Sequence, residues 1–314
     1  MRLGQCGLAV LLLAGLLQAA QAQNFPNRAM TLYVTTSAGG TLDLMARLFA
    51  DRLRKRSDQT IVVENRPGAG GNLAYGAVAA SRPDGHSIVL GGNQLQGLFV
   101  KNVGYDPASL TPVSILSQTP FTLVASKGSN LRSYAELLAY AKANPGRLTL
   151  GAVPLGAHEL DMHALEFALN IRTNVIGYKG FAPLEAAVLA GEIDASLFGN
   201  IAKVKSGQIV GLITAGDRRS PDMPTVPTFK ELGIDHDPRA SYTVWTRSAV
   251  PPDVMARLVK ECQDLVASPE YTSTITERLG IPAVGSTREV ALQTMSVEFD
   301  RMKAVADRVG IKPQ

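Results

Sequence analysis

Hydrophobic positions along the chain follow two alternating rhythms. Short runs rich in apolar and β-branched residues, at 32–35, 61–64, 87–90, 121–125, 148–150, 175–178, 195–198 and 210–214, have the length and composition of strands. Between them lie segments whose apolar residues recur every three or four positions. In the first, Leu44, Met45, Leu48, Phe49 and Leu53 share one helical face while Asp43, Arg47, Asp51 and Arg54 fall largely on others, which predicts a helix from near Thr41. Further helices are expected at 72–82, 133–144, 159–169, 182–190, 251–267, 269–279 and 287–308. Asn144-Pro145-Gly146, Ser268-Pro269 and Gly310 provide the stops. Strand, helix, strand in this order predicts an α/β fold of mostly parallel sheets covered on both faces.

Two places interrupt the rhythm. Near 121–127 a strand leads through Lys127-Gly128-Ser129 into a new series of strands and helices. Near 241–251 an extended run containing Tyr242 and Trp245 ends at Pro251-Pro252 and gives way to an almost wholly helical tail. The expected organisation is one discontinuous domain, 23–121 plus 242–314, and a second domain, 122–241, joined by two hinge crossings that let both halves swing as rigid bodies.

The N-terminus changes the picture of where the chain works. Arg2, an apolar stretch over 8–17 and Ala20-Gln21-Ala22 have the form of an export signal, with cleavage expected after Ala22. That apolar stretch is too short to span a bilayer, and no later one reaches the required length without a charge, Pro or Gly, so membrane insertion is not expected. Cleavage leaves 292 residues, with 30 basic against 27 acidic. So mild and dispersed a balance argues against a nucleic-acid partner. Only Cys262 survives processing, so no internal disulfide can form, and its place in a helical pattern predicts a buried thiol.

The candidate chemistry lies at the tips of expected strands. Ser37-Ala38-Gly39-Gly40-Thr41 joins the first strand to the first helix, with Asp43 one turn in. Such a helix start aims unpaired N–H groups and positive dipole at a carboxylate or phosphate, unless it is an ordinary turn capped by Thr41. The stretch from Asn65 through Gly68, Gly70 and Gly71 to Asn72 lacks both the Gly-Lys-Ser/Thr ending and the third glycine of nucleotide-binding loops, and reads as a tight turn packing a helix on the sheet. In the second half, the stretch that includes Pro154, Gly156, Ala157 and His158 repeats strand, loop and helix start. His158 there could donate to an anion or cap the helix. His158 and His163 stand five apart and diverge on a helix, which argues against a metal site. Tyr178-Lys179-Gly180-Phe181 adds a cation at another strand end. Asn93, Gln94 and Asn200 are further polar tips, and ligands of open α/β sheets bind at such carboxyl ends. No nucleophile constellation is present, so neither catalysis nor a cofactor is expected.

With those loops in hand, the chain resembles the receptor components of tripartite tricarboxylate transporters, the Bug family of periplasmic solute receptors. The resemblance covers essentially the whole mature chain. It rests on Ala38-Gly39-Gly40-Thr41-Leu42-Asp43 with Ala46-Arg47, on the run from Val63 to Asn72 just described, on Pro83-Asp84-Gly85 and on Tyr105-Asp106-Pro107. Tyr140-Ala141-Lys142-Ala143-Asn144-Pro145-Gly146, Tyr178-Lys179-Gly180 and Met223-Pro224-Thr225-Val226-Pro227-Thr228 complete it. It implies a two-domain periplasmic binding protein fold of type II, the Venus flytrap. It also implies that loops 39–43 and 151–158 grip a small carboxylate through backbone amides and bridging waters, and that membrane transporter subunits accept the ligand. The protein is expected to act as a monomer in the periplasm. Two alternatives share this sequence: a ligand-sensing receptor docking on a sensor kinase, and an exported hydrolase using His158 or His163. Three departures bear on the ligand: Thr35 replaces the proline usual before the first loop, Pro154 replaces a usual glycine, and Ala157 stands where a hydroxyl residue is usual. Losing that hydroxyl leaves two expectations, that His158 partly substitutes for it or that the ligand is less acidic than a dicarboxylate.

Overall fold

A computed structural model describes residues 25–199 and 201–313. The signal segment and Asn200 lie outside these. The strands are β1 (Met30–Val34), β2 (Ile61–Asn65), β3 (Ser87–Gly91), β4 (Leu110–Pro120), β5 (Thr122–Ala125), β6 (Thr149–Ala152), β7 (Asn174–Gly177), β8 (Ala195–Phe198), β9 (Val210–Thr214) and β10 (Arg239–Arg247). The principal helices are α1 (Thr41–Ser57), α2 (Asn72–Ala79), α3 (Tyr134–Ala143), α4 (Ala157–Leu169), α5 (Phe181–Ala190), α6 (Pro252–Val266) and α7 (Arg288–Val309).

The strands form two five-stranded sheets, β2-β1-β3-β10-β4 and β7-β6-β8-β5-β9. Each is half parallel and half antiparallel: β1 runs with β2 and β3, β6 with β7 and β8, whereas β10 opposes β3 and β4, and β5 opposes β8 and β9. This corrects the expectation of mostly parallel sheets. The antiparallel members are β10, by which the chain returns to the first sheet, and β5, by which it enters the second, a property of the connections that no local pattern records.

β4 is the strand that periodicity misses. Pro112, Ser114, Ser117 and Thr119 break its apolar pattern, yet it is buried almost throughout. Ser114 donates to the carbonyl of Ser286 at 2.7 Å and Ser117 shares a 2.7 Å hydrogen bond with the Tyr271 hydroxyl. Partners distant in sequence thus remove the cost of burying these hydroxyls. The helix expected over 269–279 is instead a short turn, Pro269–Tyr271, followed by a π-wound turn, Thr272–Glu277.

In the first sheet Met30, Leu32 and Val34 point to one face, against Met45, Phe49 and Leu53 of α1. The second sheet has its own core, built on Leu123, Leu150, Leu165 and Leu197. A third apolar cluster joins the two lobes: Leu160 of α4 with Leu95, Leu98 and Phe99 after β3, and with Met302, Val305 and Ala306 of α7. Cys262 of α6 is fully buried, as its helical pattern predicts, and burial pushes its thiol pKa up.

The register fixes how the lobes face one another. β4 ends at Pro120 opposite Arg239, and two residues later Thr122 opens β5 opposite Phe198, the last residue of β8. The Phe121 amide between them donates to the carbonyl of Pro238. β9 ends at Thr214, also opposite Thr122, and the chain returns through 215–238 to β10, where Thr243 pairs with Gly91 at the end of β3. Both crossings therefore lie at the carboxyl ends of the parallel strands, in both sheets. The loops that follow β1, β2, β6 and β7 are thereby gathered on the two edges the crossings connect.

Candidate functional site

Four helices start on these edges, and their caps differ from those of α3 and α7. Gly40, Gly71, Gly156 and Gly180 hold the N-cap positions of α1, α2, α4 and α5, and none of the four caps has a side-chain hydrogen bond. By contrast Ser133 caps α3 by accepting from the Glu136 amide, and Thr287 caps α7 by accepting from Val290. An uncapped start leaves its first N–H groups and its positive dipole end exposed to whatever enters the space above. Thr41 is the first helical residue of α1, which removes the reading in which it caps that helix.

Within the first loop, Ser37, Ala38, Gly39 and Gly40 are exposed and Thr41 is half-buried. Asp43 is 4 % exposed and its carboxylate is fully engaged. One oxygen accepts from the Gly39 amide at 2.9 Å and from Arg47 Nε at 2.9 Å, and the other accepts from Arg47 Nη2 at 3.0 Å. Burial opposes the ionised form, but the Arg47 guanidinium and the Gly39 amide outweigh it and hold the Asp43 pKa below the usual range. Asp43 is thus a brace that shapes the loop and takes up Gly39's N–H. This corrects the placing of Asp43 and the Gly39 amide among the ligand-binding groups. The amides of Gly40, Thr41 and Leu42 donate to no group among the described residues.

The second loop is braced in the same way by residues that follow it. The Leu155 amide donates to Glu159 Oε2 at 2.8 Å, and the Val153 amide donates to His158 Nδ1 at 3.0 Å. His158 Nε2 in turn donates to the Leu197 carbonyl at 2.9 Å, so the ring is neutral with both nitrogens occupied inside the protein. Burial drives its pKa down to about 4, against the bond to Leu197. His158 therefore pins the loop to β8 and cannot donate to a ligand, a correction to the sequence-based expectation. The amides of Gly156, Ala157 and His158 itself donate to no group among the described residues.

The remaining candidates divide. The Gly180 amide donates to the Tyr178 carbonyl at 2.8 Å, so it is also lost to a ligand; with φ +126° this residue has a conformational role. Lys179 is exposed and pairs with no acid among the described residues, and Phe181, the first residue of α5, is 46 % exposed. Asn93 is turned away, its Nδ2 donating to the Met295 carbonyl of α7 at 2.8 Å. Asn200 lies outside the described residues. Thr35, whose amide donates to the Leu90 carbonyl at 3.2 Å, supplies an N–H that the proline usual at this position lacks. Sequence reasoning missed Glu159 and Arg47, although the Asp43–Arg47 and Leu155–Glu159 separations of four match one helical turn. His163 pairs with Glu166 at 2.9 Å, apart from His158. Among the described residues no group of His, Cys, Asp and Glu could hold a metal ion, and no helix is long and apolar enough to cross a membrane.

Comparison with known proteins agrees with this architecture. The profile of the tripartite tricarboxylate transporter family receptor, TctC, matches residues 45–311. A protein of Cupriavidus necator described as "UPF0065 protein in gbd 5'region" is 29 % identical over 310 residues, covering 96 % of this chain and 94 % of its own. Among solved structures, Rhodopseudomonas palustris Rpa4515 with adipate superposes with a TM-score of 0.80 at 28 % identity, covering 92 % of this chain and 100 % of its own. The periplasmic binding protein BugD does so with a TM-score of 0.77 at 27 % identity, covering the same shares. A family match over most of the length, joined to two lobes with open helix starts on facing edges, leads to one conclusion: the chain belongs to the tripartite tricarboxylate transporter receptor family and is a solute-binding protein of the periplasmic binding protein fold.

Proposed function

We propose that the protein is exported, cleaved after Ala22, and works as a monomeric periplasmic receptor. It captures a small carboxylate-type metabolite between its lobes and hands it to a tripartite tricarboxylate-type membrane transporter. The observation that carries this reading is the pair of glycine caps at Gly40 and Gly156. Their φ values, −84° and −164°, are open to any residue, and a Cβ on either would meet no protein atom closer than 3.8 Å. Neither backbone conformation nor packing demands glycine there. The space above each helix start is free for a guest, and the unpaired amides of residues 40–42 and 156–158 are the donors a carboxylate needs.

Adipate bound to the R. palustris relative supports the ligand class. Capture then follows the hinge scheme: the ligand docks on one lobe, the other closes over it, and the membrane subunits read the closed form. The hydrolase alternative loses its base, because both His158 nitrogens are occupied and His163 faces Glu166.

Native mass spectrometry of the purified mature protein, with a thermal-shift screen of carboxylates, tests the reading. A ligand that binds only the folded state raises its apparent stability. The decisive variant is Gly156→Ser. A serine there supplies the missing cap and gains a few tenths of a kcal/mol, while its hydroxyl occupies the ligand's donors. Unchanged or slightly raised stability with at least tenfold weaker binding is expected. Binding unaffected by Gly156→Ser and by Gly40→Ser would sink the proposal.

A further inference from the structure

The carboxyl edge of the second sheet carries an aromatic step that neither the fold nor the main-chain donors require. Phe121 at the crossing, His158 at the start of α4 and Phe198 at the end of β8 are 5 to 6 % exposed and form its floor. The Phe181 ring stands on that floor, 4.9 Å from the His158 ring at 75°, and 6.4 Å from both Phe121 and Phe198. A phenylalanine nearly half exposed at the first position of a helix leaves an apolar face in water beside the open amides. Leu155, in the loop before α4, is 43 % exposed at φ +61°, a left-handed conformation that a leucine avoids unless held, here by the bond from its amide to Glu159. Across the crossings, Leu73 in the first turn of α2 is 56 % exposed. Three of the largest exposed apolar side chains thus stand beside the helix starts that face each other.

The charges beside them are mostly spent. On the loops opening α1, α2, α4 and α5, and in the first turns of those helices, Asp43 closes on Arg47 and Arg66 closes on Glu64 at 2.6 Å while lying over the Tyr33 ring. Glu159 is taken by Leu155, and His158 is neutral and enclosed. Among the described residues of these loops, Lys179 is left as the cation without a partner. A compact di- or tricarboxylate brings two or three negative charges close together, each needing counter-charge or a wet, polar wall. One free cation, two sets of open amides and an apolar step suit a ligand with a single charged end.

Resting on the reading of the cleft given above, we infer that the ligand is an aromatic monocarboxylate whose ring packs edge or face on Phe181 while its carboxylate meets the amides of residues 156–158. His158 shapes this site without contributing charge. Phe181 is then a specificity-determining residue.

Isothermal titration of the purified mature protein with benzoate, 3-phenylpropionate, malate, adipate and citrate tests this. The two aromatic monocarboxylates are expected to bind at least tenfold tighter than malate, adipate or citrate. Phe181→Ala should weaken them at least fivefold and Phe181→Leu by less, with circular dichroism unchanged and the melting temperature lowered only modestly, as suits a ring about half exposed. Malate, adipate or citrate binding as tightly as the aromatic acids, or aromatic affinity indifferent to Phe181→Ala, overturns the inference. If Gly156→Ser still abolishes binding in that event, the carboxylate receptor stands and only the class of its ligand is wrong. If no carboxylate binds and Gly156→Ser is silent, the receptor reading falls and this inference with it.

Discussion

Asp161 offers a direct measurement of the contact between the lobes. It sits in α4, one turn past the open amides, and is 1 % exposed. Its Oδ1 has no hydrogen-bond partner, and its nearest cation, Arg301 Nη2 of α7, is 3.9 Å away. Burial pushes the Asp161 pKa up to about 8; Arg301 opposes the rise, while Glu298 and Asp237 add to it. Glu298 on α7 is raised to about 7, again by burial, with Arg301 and Asn93 opposing. The folded protein therefore holds a proton on Asp161 that the unfolded chain releases near pH 4. The resulting stability is fully present below pH 4 and is lost as pH rises toward 8, each unit being worth about 1.4 kcal/mol while the difference lasts. Asp161→Asn keeps the shape and removes the proton equilibrium. In urea unfolding from pH 5 to 9, the wild type should lose stability steadily up to about pH 8 and level off above it. The variant should lose less, retaining the part due to Glu298, and at pH 8 should be the more stable by a few kcal/mol. Parallel curves, or a variant less stable than wild type at pH 8, would show that Arg301 holds an ionised Asp161 and refute the reasoning. Since α4 also carries the 153–157 loop, the same variant should make the lobe contact less sensitive to pH.

Two further outcomes follow from buried groups. His158 has its pKa depressed to about 4, so its contribution is present above pH 6.5 and is lost as pH falls from there toward 4. His158→Ala should flatten that acid limb and cost about 2 to 4 kcal/mol at pH 7.5 through two lost hydrogen bonds and an emptied ring site. His158→Ala should leave the shape of the pH profile of ligand affinity between pH 5.5 and 8 unchanged, and a profile that this variant flattens would return His158 to the list of donors. Glu261 in α6 is fully buried against Arg56 at 2.7 Å, Arg257 at 3.1 Å and Arg52 at 3.9 Å. Glu261→Gln leaves three guanidinium groups facing one another. Because each is about 30 % exposed and reaches solvent, the expected loss in chemical denaturation is about 1 to 3 kcal/mol rather than the full cost of a buried charge. A neutral result would mean that water already screens the cluster.

Much of the architecture is local physics written in the chain. The spacing of Leu44, Met45, Leu48, Phe49 and Leu53 makes α1 whatever surrounds it, and the apolar runs at 195–198 and 210–214 coincide with β8 and β9. The glycine loops, too, are legible, because glycines between a β-rich run and an amphipathic run mark a strand-to-helix turn. β4 was not, since its serines become tolerable only when Ser286 and Tyr271 arrive from far along the chain. The same holds for the candidate site. The sequence by itself could place Asp43, Asn93 and His158 at strand tips, but not say which way their polar atoms turn. Tertiary structure decided that Asp43 braces Gly39, that Asn93 ties to α7 and that His158 is neutral and locked. Periodicity depends on a few neighbouring residues and is set before folding, whereas the partner of a hydrogen bond and the burial that moves a pKa come from segments tens to hundreds of positions away.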